Sequence, residues 1–192
     1  MKRLCVFCGS TKGSLPIYER VTRELGEQFL KRGIGLVYGG GNIGLMGIMA
    51  ETVLKGGGEV IGIIPKALAE KELAFRELAD LRIVQTMHER KALMEQLSDG
   101  FIALPGGFGT LEEICEMVTW AQLNIHSKPC GLLNIEGFYD DLLSFMDNQV
   151  QQGFVTPVNR YLVMEALKPE HLLDLLQGKA HTEISSASLD RP

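Results

Sequence analysis

Short apolar runs alternate with longer amphipathic stretches along most of the chain. The apolar runs predict strands at Leu4–Cys8, Gly35–Tyr38, Val60–Ile64, Arg82–Gln85, Phe101–Leu104 and Gly131–Asn134. The stretches between them have helical length and predict helices at Ile17–Arg32, Leu45–Lys55, His88–Ser98, Leu111–Asn124 and Tyr139–Gln152. A last helix is predicted from Pro169 to Gly178, because proline is favoured in a first helical turn and glycine at a helix end.

Strands that alternate with helices indicate an α/β protein with a parallel sheet covered by helices on both faces. The predicted strands are apolar over their whole length, as strands buried on both faces should be. We therefore expect a doubly wound parallel sheet in a single domain over residues 1–178. The remaining residues, 179–192, are small and polar and are predicted to form a tail.

Composition and charge narrow the class of protein. The chain has 192 residues, of which 45% are hydrophobic and 22% charged, which is typical of a soluble domain. A net charge of −5 argues against duplex nucleic acid as a partner, since such binding needs a basic face. No apolar run approaches the roughly 20 residues that cross a bilayer, so we expect no membrane partner.

The four cysteines suit a reducing compartment, and we expect the protein in the cytoplasm. Cys5 and Cys8 form a C-x-x-C pair within a predicted strand, where their side chains should face opposite sides of the sheet. No second cysteine or histidine pair has the spacing of metal ligands, so we expect no metal.

Glycine-rich segments follow three of the predicted strands, at Cys8–Gly13, Gly39–Gly44 and Pro105–Thr110. In a parallel sheet these segments emerge at the same edge, and each leads into a helix whose first N–H groups lack intrahelical partners. Any one of them could be a tight strand-to-helix turn. Three at one edge favour a site for a nucleotide-like anion.

The second segment also matches the dinucleotide pattern G-x-G-x-x-G at Gly39, Gly41 and Gly44. In NAD-binding proteins an acidic residue at the end of the following strand binds the ribose. Here Glu59 has about the right separation but stands at the start of that strand. We therefore disfavour NAD or FAD and expect this loop to contact a phosphate or a sugar.

Arg90 lies in the middle of an apolar helical stripe formed by Leu93, Met94 and Leu97. An arginine on such a face requires a carboxylate or a phosphate as partner. It is either part of a structural ion pair or a ligand-binding group. Lys91 falls outside the stripe.

Glu113 has two interpretations that the residues alone do not separate. With Thr110 it forms the T-x-x-E pattern of a capping box at a helix start. Beside a phosphate-binding loop it could instead stabilise positive charge or activate water.

Trp120 and Leu123 fall on the helix face that also carries Glu112, Glu116 and Thr119. Large apolar side chains on a charged face suggest a protein–protein contact, and we expect a homodimer.

Several of these segments, in order, resemble one enzyme family. Pro105–Glu113 is similar to the PGGxGTxxE signature of the LOG ("Lonely Guy") family, the cytokinin riboside 5'-monophosphate phosphoribohydrolases. Met87–Lys91 resembles the second signature of that family, and Tyr38–Gly47 and Cys8–Ser10 also fit. The similarity spans about residues 3–155.

The resemblance implies a Rossmann-like fold, usually dimeric, without a cofactor. It implies hydrolysis of the N-glycosidic bond of purine nucleoside 5'-monophosphates, among them N6-modified adenine nucleotides and AMP, to free base and ribose 5-phosphate. Arg90 and Glu113 would be the catalytic pair. Substrate contacts are expected from Ser10, Gly40, Gly41, Glu72, Lys91, Gly106, Gly107, Phe108, Gly109, Thr110, Leu111, Glu112 and Thr119.

Two other classes remain as alternatives. A non-catalytic nucleotide or cofactor carrier on the same fold would keep the glycine-rich loops without needing the Arg90–Glu113 pair. The second class is an NAD-dependent enzyme, which the missing ribose-binding acid disfavours. The label lysine decarboxylase that some relatives of this family carry has no support here, since no lysine has a recognisable setting for pyridoxal phosphate.

Overall fold

A computed structural model describes residues 1–69 and 74–178. Within them the strands are β1 Arg3–Phe7, β2 Gly35–Tyr38, β3 Val60–Pro65, β4 Asp80–Val84, β5 Phe101–Ala103, β6 Cys130–Leu133 and β7 Val163–Ala166. The helices are α1 Pro16–Arg32, α2 Gly44–Lys55, α3 Lys66–Ala69, α4 Met87–Leu97, α5 Phe108–Gln122, α6 Asp140–Gln151 and α7 Pro157–Arg160. A last helix, α8, occupies residues 169–178.

The strands form one sheet in the order β4-β3-β2-β1-β5-β6-β7, and all neighbouring strands are parallel. The chain therefore winds outward from β1 to one edge and then from β5 to the other. The reversal between β1 and β5 is the switch point at which sheets of this kind bind ligands, beyond the carboxyl ends of the strands. The predicted doubly wound, Rossmann-like fold is confirmed.

Helices cover both faces of the sheet. On one face α1, α2 and α8 bury a cluster that includes Leu25, Met49 and Leu172. On the other face α4, α5 and α6 bury a second cluster around Met94 and Met117. Cys8 belongs to the first cluster and Cys5 to the second, so the C-x-x-C pair faces opposite sides as predicted, and both thiols are free.

Several parts of the chain differ from the sequence-based expectation or lie outside the described residues. The short helices α3 and α7 were not predicted, and β4 begins at Asp80, two residues before the predicted start. β7 was not predicted, because it is a short edge strand in which Glu165 is exposed, so the apolar run is interrupted. α5 begins at Phe108, three residues before the predicted start. Glu72 and the predicted tail at 179–192 lie outside the described residues.

No helix within residues 1–69 and 74–178 is both long enough and apolar enough to cross a membrane.

A buried tyrosine fixes the start of the third glycine-rich loop. Tyr139 follows β6, and its backbone N–H donates to the side-chain oxygen of Asn134 at 2.8 Å. Its hydroxyl donates to the carbonyl oxygen of Leu104 at 2.6 Å, and the side chain is only 1% exposed. Leu104 immediately precedes the Pro105–Thr110 loop, so this hydrogen bond holds the loop at the edge of the sheet.

We expect Tyr139→Phe to lower the free energy of unfolding by about 1–2 kcal/mol, because a buried carbonyl loses its donor while the ring is retained. Urea denaturation measures the change as a lower midpoint with an unchanged slope. Tyr161→Phe is the matched control, since Tyr161 is 79% exposed. The control should stay within about 0.5 kcal/mol of the wild type. Equal midpoints for the two variants would contradict the role given to Tyr139.

Candidate active site

A cleft of about 340 Å³ opens at the carboxyl ends of the strands, beside the switch point. The β1 loop, the first turns of α2, α4 and α5, and α3 supply its walls. Its lining residues are Cys8, Gly9, Ser10, Met46, Leu68, Met87, Arg90, Gly107, Phe108, Gly109, Thr110, Glu112 and Glu113. Segments far apart in the sequence therefore meet here, and the predicted pair Arg90 and Glu113 is among them.

The N-terminus of α5 forms one wall of the cleft. Gly107 is the N-cap in an extended conformation without a side-chain cap, and the Leu111 N–H is the first to bond back, to the Gly107 carbonyl at 3.2 Å. The amides of Phe108, Gly109 and Thr110 precede that bond and are available to a ligand. These N–H groups and the positive end of the helix dipole suit an anion.

The capping-box interpretation of Thr110 and Glu113 is wrong. Thr110 is the third residue inside α5 and the cap is Gly107, so Glu113 lies well inside the helix. Thr110 is buried, and its side chain lies over Gly106, where an added Cβ would come within 2.1 Å of the Thr110 Oγ1.

The N-terminus of α2, by contrast, is occupied by the chain itself. The Leu45 N–H donates to the carbonyl oxygens of Gly9 at 3.0 Å and Thr11 at 3.3 Å. Gly44 permits this contact, because it has φ of +61° and an added Cβ would lie 2.2 Å from the carbonyl carbon of Ser10. The β1 loop therefore caps α2.

The G-x-G-x-x-G loop lies beneath the cleft rather than in its lining. Gly40 accepts a hydrogen bond from the Phe75 N–H, and Gly41 pairs with Ala74 in an isolated bridge. Neither Gly40 nor Gly41 is among the residues that line the cleft in the described part of the chain. Their assignment as substrate contacts stays a prediction.

Arg90 is nearly buried, but its guanidinium has only distant partners. Its Nη2 lies 3.4 Å from the carbonyl oxygen of Gly39 and 3.6 Å from the Oε1 of Glu113, and its Nη1 lies 3.8 Å from the Met87 sulfur. Within the described residues its Nε has no hydrogen-bond partner. Charge-assisted hydrogen bonds are normally about 2.7–2.9 Å long, so this cation keeps donor capacity toward the cleft.

Gly39 makes room for this guanidinium. A Cβ at position 39 would lie 2.1 Å from the Arg90 Nη2. The glycine that sequence analysis assigned to a nucleotide-binding pattern is therefore required by an arginine 51 residues further along the chain. No signal in the local sequence points to that contact.

Lys91 is also buried, with its side chain 7% exposed, although it does not belong to the apolar stripe of α4. Its ammonium contacts the carboxylates of Glu112 and, at 2.9 Å, Glu116. Burial lowers the pKa of Lys91, but the contacts with Glu112 and Glu116 outweigh it, and the pKa lies above its usual value. Lys91 therefore carries a positive charge beside the cleft.

Cys8 is among the residues that line the cleft, but it is nearly buried and belongs to the first core cluster. Burial raises the pKa of Cys8 far above its usual range, and the charge of Glu113 raises it further. A neutral thiol has little nucleophilic reactivity.

The remaining predicted contacts are divided between the cleft and other places. Ser10 and the side chain of Phe108 are exposed at the cleft, and Leu111 packs against the second core cluster. Thr119 lies further along α5, in a separate groove, and its hydroxyl donates to the Cys115 carbonyl at 2.7 Å. The structure thus does not bring Thr119 to the cleft within one chain.

Three apolar residues in the lining were not predicted: Met46, Leu68 and Met87. Their sequence context does not distinguish them from core residues, and only the folded chain brings them to one wall.

A larger hollow of about 540 Å³ lies beyond β6 and β7. Its lining holds the carboxylates of Asp140, Asp147 and Glu165 but only one arginine, Arg160, which is paired with Asp147 at 2.6 Å. This surplus of negative charge disfavours an anionic ligand, so the smaller cleft at α5 is the candidate active site.

Comparisons with known proteins identify the family of this chain. A family model described as "Possible lysine decarboxylase" matches residues 46–176. The chain is 50% identical over 187 residues to cytokinin riboside 5'-monophosphate phosphoribohydrolase LOG1 of Arabidopsis thaliana, covering 96% of this chain and 88% of that protein. It is 49% identical to the probable phosphoribohydrolase LOGL2 of Oryza sativa subsp. japonica, over 92% of this chain and 72% of the other.

Solved structures share the fold. A molybdenum cofactor binding protein from Rippkaea orientalis has a TM-score of 0.68 at 23% identity, with 93% of this chain and 97% of that chain covered. The molybdenum cofactor carrier protein of Chlamydomonas reinhardtii has a TM-score of 0.70 at 18% identity, with the same coverage of both chains.

At these identities the solved structures show the fold alone, whereas the sequence relatives cover nearly the whole chain at about half identity. The chain belongs to the LOG family, the cytokinin riboside 5'-monophosphate phosphoribohydrolases.

Proposed function

We propose that the chain hydrolyses the N-glycosidic bond of purine nucleoside 5'-monophosphates, including AMP and N6-modified adenine nucleotides, to free base and ribose 5-phosphate. The observation that carries the proposal is a buried guanidinium with distant partners, 3.6 Å from a carboxylate, beside the open N-terminus of a helix. The names of the sequence relatives describe the same reaction.

The 5'-phosphate binds at the N-terminus of α5. Gly107, Phe108, Gly109 and Thr110 provide backbone N–H groups there, and the helix dipole favours negative charge. Lys91 adds positive charge from the neighbouring helix. The neutral backbone amides provide most of the phosphate binding, so the Arg90 guanidinium remains available to bind the sugar.

Glu113 acts at C1' of the ribose. Water adds its oxygen to C1' while the bond from C1' to the base nitrogen breaks, and the base leaves with the electron pair and takes up a proton. Positive charge builds on the sugar during this step, and a nearby carboxylate stabilises it. Glu113 also orients the attacking water, and Arg90 holds the sugar and keeps Glu113 in place.

The wall of Met46, Leu68 and Met87 accepts the base. Met87 is 40% exposed and Met46 only 7%, so Met87 offers more open apolar surface than Met46, with the Arg90 Nη1 lying 3.8 Å from its sulfur. Such a wall suits a flat purine ring and tolerates an apolar N6 substituent.

The working unit is a homodimer in the cytoplasm. Leu123 and Ile125, at and just beyond the end of α5, are each 61% exposed, so two large apolar side chains lie open to solvent within three residues of each other. None of the four cysteines forms a disulfide, which suits a reducing compartment.

We expect the wild-type protein to release adenine from AMP, and Glu113→Gln to lower turnover at least about 100-fold with little change in nucleotide binding. The amide retains the shape of the carboxylate but not the charge that stabilises the sugar cation. Chromatography of released base measures turnover, and calorimetry with AMP measures binding.

Glu95→Gln is the control, because Glu95 lies near the other end of α4 and is ion-paired with Lys128. Full turnover in Glu113→Gln would contradict the role of Glu113. A wild type that binds AMP but releases no base from any nucleoside monophosphate would indicate a carrier.

We expect Gly39→Ala to reduce kcat/KM about ten-fold or more while the thermal midpoint changes little. The added Cβ meets the far end of a flexible arginine, so the guanidinium moves and the fold does not. Steady-state kinetics and thermal unfolding measure the two effects. At Gly178 an added Cβ meets nothing within 4 Å, so Gly178→Ala is the control. Wild-type kinetics in Gly39→Ala would show that the position of Arg90 does not matter.

We expect Leu123→Asp to convert the dimer to a monomer, because a charge is placed in the proposed contact. Sedimentation equilibrium measures the mass. The exposed Leu167, which lies beyond the sheet edge at β7, serves as a control in Leu167→Asp. A wild-type monomer, or an unchanged mass in Leu123→Asp, would contradict the dimer or this interface.

A further inference from the structure

A second ion-pair cluster lies beside the Arg90–Glu113 pair. Lys91 immediately follows Arg90 on α4, and its ammonium reaches Glu112 and Glu116 on α5. Glu112 and Glu116 are one helical turn apart and share a face, whereas Glu113 lies on the adjacent face, toward Arg90. Two neighbouring cations of α4 therefore meet three carboxylates of α5.

The Arg90–Glu113 contact does not hold the two helices in place by itself. At 3.6 Å it is longer than a normal charge-assisted hydrogen bond, and the other described partners of the guanidinium are a backbone carbonyl at 3.4 Å and a thioether sulfur at 3.8 Å. A pair this loose fixes the separation of the two side chains only weakly. Other contacts between α4 and α5 must therefore contribute to the relative position of Arg90 and Glu113.

The two partners of Lys91 differ in their access to the cleft. Glu112 lines the cleft and its side chain is 53% exposed, so a bound ligand can reach it. Glu116 is not among the lining residues in the described part of the chain, and its side chain is 24% exposed. Its contact with Lys91 therefore lies outside the described cleft lining.

We infer that Glu116 is a positioning residue that holds Lys91 against α5 and so keeps Arg90 and Glu113 facing each other. The inference rests on the proposed function for its kinetic test. Glu116 touches no substrate: it acts through Lys91, whose backbone is continuous with that of Arg90. An almost buried ammonium is strongly tied to its counter-charges, which makes this link stiff.

The test compares Glu116→Gln with the wild type in the hydrolysis of AMP. We expect kcat to fall about ten-fold, because the carboxylate and the guanidinium lose their alignment over the sugar. We expect KM to stay within about three-fold, because the amides of α5 still bind the phosphate. A merely structural pair would lower the thermal midpoint without this separation of kcat from KM.

Two further variants complete the kinetic test. Glu95 is ion-paired with Lys128 at the other end of α4, and its side chain is about as buried as that of Glu116. Glu95→Gln should therefore leave both kcat and KM unchanged. Lys91→Met combined with Glu116→Gln should lower kcat no further than Lys91→Met alone, since both changes break the same link. Additive losses, an unchanged kcat, or a raised KM with normal kcat in Glu116→Gln would each overturn the inference.

A crystal structure of Glu116→Gln separates this inference from the proposed function. The distance between the Arg90 Nη2 and the Glu113 Oε1 should increase from 3.6 Å, whether or not the protein hydrolyses AMP. An unchanged distance would overturn the positioning role even if the wild type is an active hydrolase. If the pair is displaced in Glu116→Gln but the wild type does not hydrolyse nucleotides, the positioning role would stand and the proposed reaction would be wrong.

Discussion

The site depends on a guanidinium that is buried without close partners among the described residues. Burying a charge is costly unless it is paired, and the described partners of Arg90 lie at 3.4–3.8 Å. Gly39 leaves space for the guanidinium, and the carboxylate of Glu113 offsets part of the cost of its burial. A group held in this way gains hydrogen bonds when a polar ligand enters, so its incomplete pairing favours binding at this place.

Two of the loops at the carboxyl edge support the third. The β1 loop uses its carbonyl groups to cap α2, and the β2 loop passes beneath the cleft, where Gly40 and Gly41 bond to the segment around Ala74. Of the three glycine-rich loops, the one that leads into α5 leaves the first amides of its helix beside the cleft. The glycines of the first two loops are therefore needed for close backbone packing, and that packing fixes the floor on which the α5 site stands.

The alternation of strands and helices predicts the fold because each buried strand and each amphipathic helix leaves a local pattern. The same patterns predict Arg90 in the apolar stripe and three loops at one edge. They do not predict the burial of Lys91, which depends on two carboxylates of another helix, or the space at Gly39. They also place the start of α5 too late, because Gly107 caps the helix through its backbone and carries no side-chain signal. Contacts between distant segments decide each of these.

The charges around the cleft explain why backbone amides, rather than basic side chains, suit the phosphate. Arg90 and Lys91 face three carboxylates, Glu112, Glu113 and Glu116, so the side chains alone leave an excess of negative charge. A phosphate at this place needs a source of positive potential that the carboxylates do not neutralise, and the N-terminus of α5 is such a source. Glu113 lies beyond the first turn of the helix, where this potential has largely faded, and its carboxylate faces the Arg90 guanidinium instead. The terminus of α5 therefore offers positive potential to an incoming anion, while the carboxylate further along the same helix is set against a side-chain cation.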